Sequence, residues 1–146
     1  MNANLAAKAF DPVKSVGLHW REGKLLAAEI TTDSGHIKGV RPLGGKVEFG
    51  ETVQSAVIRE FKDELNISVE IASPPRFIEN IYTHENRLGH EIIALIDVTF
   101  DASSFPDRFS FREDNGSIWS ASWFDLDELD TESGPELFPT GLKSLL

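Results

Sequence analysis

The sequence predicts one layered domain of the α/β or α+β kind, in which strands alternate with a small number of helices. Three observations carry that expectation. The 146 residues suit a single core, and 40% hydrophobic with 26% charged residues is an ordinary globular balance. Several short apolar or alternating runs have strand character. One segment, 52 to 65, repeats its apolar residues at the three-to-four spacing of an amphipathic helix.

Taken in order, VKSVGLHWREGKLLAAEIT, 13 to 31, reads as two strands around a Glu22-Gly23-Lys24 turn. TDSGHIKG reads as a polar loop. RPLGGKVEFGE, 41 to 51, carries Pro42, Gly44, Gly45 and Gly50, and is expected to follow an irregular backbone path. Thr52 suits an N-cap, TVQSAVIREFKDEL a helix, and Asn66 its C-terminal end. After Pro74-Pro75, RFIENIYTH and HEIIALIDVTF read as strands joined by ENRLG. The second is a continuous apolar run and is expected at the centre of a sheet. FPDRFSFREDNG, 105 to 116, reads as a polar loop with scattered aromatics. SIWSASWF alternates, with Ile118 on one face and Trp119, Ala121 and Trp123 on the other. DLDEL suggests a helical turn, and ELFPTGLKSLL a small helix broken near Pro139. No repeat and no low-complexity segment interrupts the chain, so residues 1–146 are expected to form one domain.

The bulk numbers narrow the partners. A formal charge of −10 with no basic stretch argues against duplex DNA or RNA, because a long polyanion is repelled. Small phosphorylated molecules stay open, since bound divalent cations reverse the local sign of charge. No apolar run is long enough to span a bilayer, so no membrane association is expected. The segment MNANLAAKAF lacks the basic and apolar regions of a secretion signal. The absence of cysteine removes disulfides, thiolate metal sites and cysteine nucleophiles, and fits a cytoplasmic location.

The chemistry concentrates in REFKDEL, 59 to 65. On a helix at about 100° per residue, Val53, Val57, Ile58, Phe61 and Leu65 gather in one arc, the expected buried face. Arg59 and Lys62 point away from it. Glu60 and Glu64 fall at its edge, with Asp63 beside them. Carboxylates at this spacing repel one another, more so next to an apolar face, and a divalent cation bound by oxygen ligands would remove that repulsion. Pairing with Arg59, Lys62 or Lys46 is the alternative, and the helix alone does not decide between them. The glycine-rich loop adds weight to the first reading, because Gly44, Gly45 and Gly50 surround a further acid, Glu51.

Loop and helix together form an ordered pattern: Gly45, five residues, Glu51, seven residues, then Arg59-Glu60-Phe61-Lys62-Asp63-Glu64-Leu65-Asn66-Ile67. This resembles the Nudix box. Gly45, Glu51, Arg59, Glu60, Phe61, Glu64 and Ile67 match seven of its nine defined positions, over 23 of the 146 residues. Asp63 stands where the family usually has Glu, and Asn66 where it usually has Gly. The resemblance implies a Nudix-type α/β/α sandwich with a mixed sheet. It also implies a metal-dependent hydrolase of a nucleoside diphosphate linked to another group: a nucleotide, a dinucleoside polyphosphate or a nucleotide sugar. It makes Glu60, Glu64 and the shorter Asp63 ligands of Mg²⁺ or Mn²⁺, with the Gly45 carbonyl as a further ligand. Glu51 and Arg59 would brace loop against helix. Asn66 tolerates the left-handed conformation that glycine supplies.

The proton acceptor is then Glu60 or an acid from a later element. Glu91, at the start of the central strand, is the leading later candidate, with Glu113 and Asp114 behind it. Arg41 and Arg87 are candidate phosphate contacts. Tyr82 is a candidate base-stacking residue that leans towards dinucleoside polyphosphates, with Trp20 and Phe49 reading as packing aromatics. His84 and His90, near acids, do not make a convincing transition-metal pair, and His19 and His36 read as packing or surface residues. Family members often dimerise, which makes a homodimer an expectation. The two departures from the box leave a second class open, a Nudix-fold nucleotide sensor that binds without cleaving.

Overall fold

The computed structural model describes residues 13–113 and 115–146; the MNANLAAKAF segment and Asp114 lie outside the described residues. Among the described residues, two sheets and one α-helix organise the fold. The first sheet runs β5 (Leu43–Lys46), β1 (Val13–Leu18), β8 (Arg87–Thr99) and β6 (Glu70–Ile71), with β7 (Arg76–His84) also paired to β8. β1 and β8 are parallel and the other pairs antiparallel, so the sheet is mixed as expected. The second runs β11 (Glu136–Leu137), β4 (Ile37–Arg41), β3 (Lys24–Thr31), β10 (Ile118–Phe124) and β9 (Arg108–Arg112), with β2 (Trp20–Arg21) on β3.

The helix α1 spans Val53–Leu65, within a residue of the predicted bounds. The Thr52 hydroxyl accepts from the Ser55 amide at 3.0 Å, and Asn66 closes the helix in the left-handed region at φ 56°. Ala56, Val57, Glu60 and Phe61 are its buried residues. Ile58, placed in the buried arc by periodicity, is instead 38% exposed, because the covered stripe is narrower and is shifted towards Glu60.

Alternate residues of the strands feed two apolar cores. Leu26, Ala28, Ala94, Ile96 and Val98 pack with Val57 and Phe61 of α1. Their neighbours Leu25, Ala27, Ile93 and Leu95 pack with Leu129, Leu137 and Leu142 on the opposite side. The second layer over the sheets is thus the C-terminal segment. It holds 3₁₀ turns at Leu126–Glu128 and Leu142–Leu145, and among the described residues no second α-helix.

Five expectations are corrected. The polar loop read in TDSGHIKG ends early, because β4 begins at Ile37 and pairs along β3. The glycine-rich stretch contains a strand, β5, because Gly44 and Gly45 let that backbone lie tight against β1: a β-carbon at Gly44 would come 2.1 Å from the Ser15 carbonyl oxygen. The 105–116 loop contains β9, which pairs along β10. The β7–β8 connection is only Glu85-Asn86, both at positive φ (52° and 62°), so the rest of ENRLG extends β8. The terminal helix is replaced by β11, a cis Phe138-Pro139 bond and a 3₁₀ turn.

Candidate functional site

The site grows from the turn between β5 and α1. Arg59 is its hub, not a solvated residue. It donates from Nε and Nη2 to the two carboxylate oxygens of Glu51, at 2.8 and 2.9 Å. Nη2 also donates to the Lys46 carbonyl at 3.0 Å, and Nη1 to Glu60 Oε1 at 2.8 Å. Glu51 in turn accepts from the Glu48 amide at 3.1 Å. One guanidinium therefore ties the strand end, the turn and the helix together. The same contacts hold the Glu51 carboxyl below its usual range, the Arg59 hydrogen bond first among them, and push Arg59 upward.

Glu60 is 6% exposed and its carboxylate lies against Gly45: a β-carbon there would be 2.7 to 2.9 Å from its atoms. Glu64 lies one turn on. Burial, then the charges of Glu60 and Glu113, push its carboxyl up to about 9, with a hydrogen bond to Glu60 adding to the effect and Arg41 opposing it. Glu113, at the end of β9, accepts from Arg41 Nη2 at 2.9 Å. The Arg41 guanidinium also sits over the Trp119 ring, 4.6 Å from its centroid, and the Trp119 indole N–H donates to the Ser117 hydroxyl at 3.2 Å.

Glu51, Arg59, Glu60, Glu64, Gly45 and Arg41 are thus brought to one region, together with Glu113, which ranked low in the sequence. Asp63 is not drawn in to the same degree. Its side chain is 49% exposed, and Arg59 Nη1 is 4.0 Å away. Glu91 alternates with Ile93 and Leu95, so it lies on the sheet face opposite α1, where Lys14 (3.0 Å) and Asn80 (2.9 Å) hold it. Tyr82 pairs with Gly89 on that same face, its ring filling the space a Gly89 side chain would take. Arg87 is exposed beside the hairpin turn. It lies seven residues along β8 from Ala94, the row of Ser15 and Gly45, which is roughly 23 Å of strand. The sequence signal for Glu91 was its place on the central strand, and one residue of register decides which face such a side chain takes.

The donor set suits a hard divalent cation, since every candidate ligand is an oxygen. Gly45 leaves room for a carboxylate beside its own backbone, and Glu64 is a half-buried acid whose ionised form is disfavoured by burial and by Glu60 and Glu113 more than Arg41 offsets. Among the described residues no three His, Asp or Glu side chains converge tightly enough to hold a metal by themselves. Substrate oxygens and waters would have to complete the shell, as Mg²⁺ sites commonly require.

Comparison with known proteins identifies the family and the fold. The model of the NUDIX domain family matches residues 13–141. The MutT NUDIX hydrolase from Burkholderia pseudomallei superposes with a TM-score of 0.58 at 21% identity, over 90% of this chain and 94% of that one. A NUDIX hydrolase from Nitrosomonas europaea gives 0.53 at 23%, over 82% and 75%. The mMutator MutT protein from Bacillus halodurans gives 0.54 at 14%, over 91% and 78%. At these identities the likeness is one of fold. No curated protein matches the chain in sequence. The family match covers most of the chain, which therefore belongs to the Nudix family of hydrolases acting on phosphoric anhydride bonds. No helix among the described residues is long and apolar enough to cross a membrane.

Proposed function

We propose that this Nudix hydrolase is a Mg²⁺- or Mn²⁺-dependent pyrophosphohydrolase that cleaves a nucleoside diphosphate linked to another group, with residues 1–146 acting as one domain. The observation that supports this best is the pair Glu60 and Glu64, one turn apart on α1, with the buried Glu60 carboxylate seated on Gly45. Glu60, Glu64 and the Gly45 carbonyl would hold the cation, with Asp63 able to join from the rim. When bound, the cation neutralises diphosphate charge and acidifies an attacking water.

The remaining roles belong to the chain. Arg59, fixed by Glu51, holds Glu60 at the turn. Arg41, steadied by Glu113 and Trp119, offers a guanidinium to a phosphate oxygen. A carboxylate accepts the proton of the attacking water. Glu113, whose charge acts on Glu64, is one candidate acceptor, and Glu60 is the alternative.

The test is a product-resolved assay with Mg²⁺ or Mn²⁺ against nucleotide sugars, dinucleoside polyphosphates and nucleoside triphosphates. Turnover that vanishes in Glu60→Gln and Glu64→Gln, with unchanged folding, supports the assignment; full activity in both variants removes it. The exposed side chain of Asp63 favours one competing reading, a nucleotide sensor with weak catalysis. Tight nucleotide binding without metal and without turnover would select that reading.

A further inference from the structure

Beside Glu64, an open surface cavity of about 310 Å³ lies between the end of α1, the 104–106 loop and the edge strand β9. Leu65, Phe105, Pro106 and Phe109 give it apolar walls, Ser104 and Ser110 contribute hydroxyls, and Glu64 forms the remaining side. We propose that this cavity receives a nucleobase of the substrate, placed there while the diphosphate lies at Glu60 and Glu64. The proposal rests on the hydrolase reading just given and adds to it the element that selects for a base.

Four features carry it. First, Glu64 belongs both to the cavity lining and to the candidate site, so the two are adjacent. Second, its aromatic walls are fixed. Phe105 and Phe109 meet edge to face at 5.1 Å and 76°. Phe105 is backed by Phe100 at 5.8 Å and Phe109 by Trp123 at 5.8 Å. Rings braced from behind keep their outer surfaces available to a planar partner at small entropic cost. Third, the chemistry is selective. Apolar walls with two hydroxyls suit a flat heterocycle with polar edges, whereas a sugar or a further phosphate would lose hydration against them. Fourth, among the described residues β9 pairs only with β10, so it is an edge strand with one side unpaired by a described strand.

The test compares the binding of the four common 5′-nucleoside monophosphates with that of ribose 5-phosphate, which is the same molecule without a base. Titration calorimetry in Mg²⁺ reads affinity without needing turnover. At least one nucleotide should bind about tenfold or more tightly than ribose 5-phosphate, a size in keeping with base–aromatic stacking. Ser104→Trp, at an exposed loop position, should fill the cavity and collapse that preference, with thermal melting confirming that the variant is folded. Phe105→Leu should reduce the preference without filling the cavity. Equal binding of nucleotides and ribose 5-phosphate overturns the proposal, as does a preference that survives Ser104→Trp in a folded protein. Failure here leaves the hydrolase reading standing if the Glu64→Gln assay succeeds. A base preference lost in Ser104→Trp, in a protein that hydrolyses nothing, would overturn the hydrolase reading and keep the cavity.

Discussion

Arg59 Nη1 lies 2.8 Å from Glu60 Oε1, although the two are neighbours in sequence on one helix. Adjacent helical residues do not normally face each other. The contact forms because Glu51 and the Lys46 carbonyl draw the guanidinium across the start of α1. The ion pair thus sets the position of a carboxylate as well as joining two segments.

Arg59→Lys should therefore damage both folding and catalysis. A lysine cannot reproduce the two-point contact to Glu51. The expected loss of stability is about 1.5–3 kcal/mol, typical of a hydrogen bond to a charged group, measured by urea unfolding. The expected loss in kcat/KM is larger than that stability change explains, because Glu60 is released. Unaltered kinetics in the folded variant would show that Glu60 is positioned by other means.

Glu64 makes metal-free stability depend on pH. Its folded carboxyl is raised from the ordinary 4.5 to about 9, mainly by burial and then by Glu60 and Glu113. A raised carboxyl favours the protonated folded state. The associated stability is fully present below about 4.5 and is lost progressively as pH rises through about 9. Melting in a chelator should therefore fall across this range, and Glu64→Gln should flatten the fall. Mg²⁺ should raise the melting temperature more at pH 9 than at pH 6, because at the lower pH it competes with a proton. An equal metal effect at both values would count against Glu64 as a ligand.

Glu29 and Arg108 give the opposite sign, away from the site. Arg108 donates to both oxygens of Glu29 at 2.8 and 2.9 Å, and Glu29 is buried in β3. The Arg108 hydrogen bond holds the Glu29 carboxyl below its ordinary 4.5. That contribution is present above 4.5 and is lost as pH falls through the lowered value. Arg108→Met should be clearly destabilised at neutral pH, where it strands a buried charge, and should approach the parent only as pH falls through that lowered value and the parent's carboxyl protonates too. Melting curves between pH 3 and 7 check this, and a gap that stays constant with pH would refute it.

Much of this was legible in the residues, and the exceptions have physical causes. The helix, its caps, the central place of β8 and the β7 limits follow from periodicity and turn chemistry that act locally. β5, β6, β9, β11 and the start of β4 were missed because their short or glycine-rich segments become strands only through their pairing partners. The same limit governs the site. Glu60, Glu64, Glu51 and Arg59 sit on one continuous loop and helix, so spacing reveals them. Glu113 and Trp119 reach the site through sheet pairing, and the wall at Phe105 and Phe109 depends on how the loop before β9 packs on α1. Glu91 lies on the sheet face opposite α1, a placement that needed the register of β8 against β1.

Gly45 offers the sharpest separation of stability from chemistry. A methyl group there meets only the end of the flexible Glu60 side chain, at 2.7 to 2.9 Å, and no backbone atom stands among its nearest neighbours. Gly45 is not at positive φ, so alanine suits its backbone. Gly45→Ala should therefore change folding stability by less than about 1 kcal/mol, because the carboxylate can swing aside. The swing moves a proposed metal ligand, and a displacement near 1 Å in a reacting site can cost about a hundredfold in rate. The expected result is a native-like melting curve with kcat/KM reduced by ten- to a hundredfold, and weaker stabilisation by Mn²⁺ in a thermal-shift titration. Gly44→Ala is the contrasting control. Its β-carbon would strike the β1 backbone, so it should lose stability as well as activity. If Gly45→Ala retained full activity, the seat of Glu60 against Gly45 would be a packing detail, and the case for Glu60 as a ligand would rest on its glutamine variant alone.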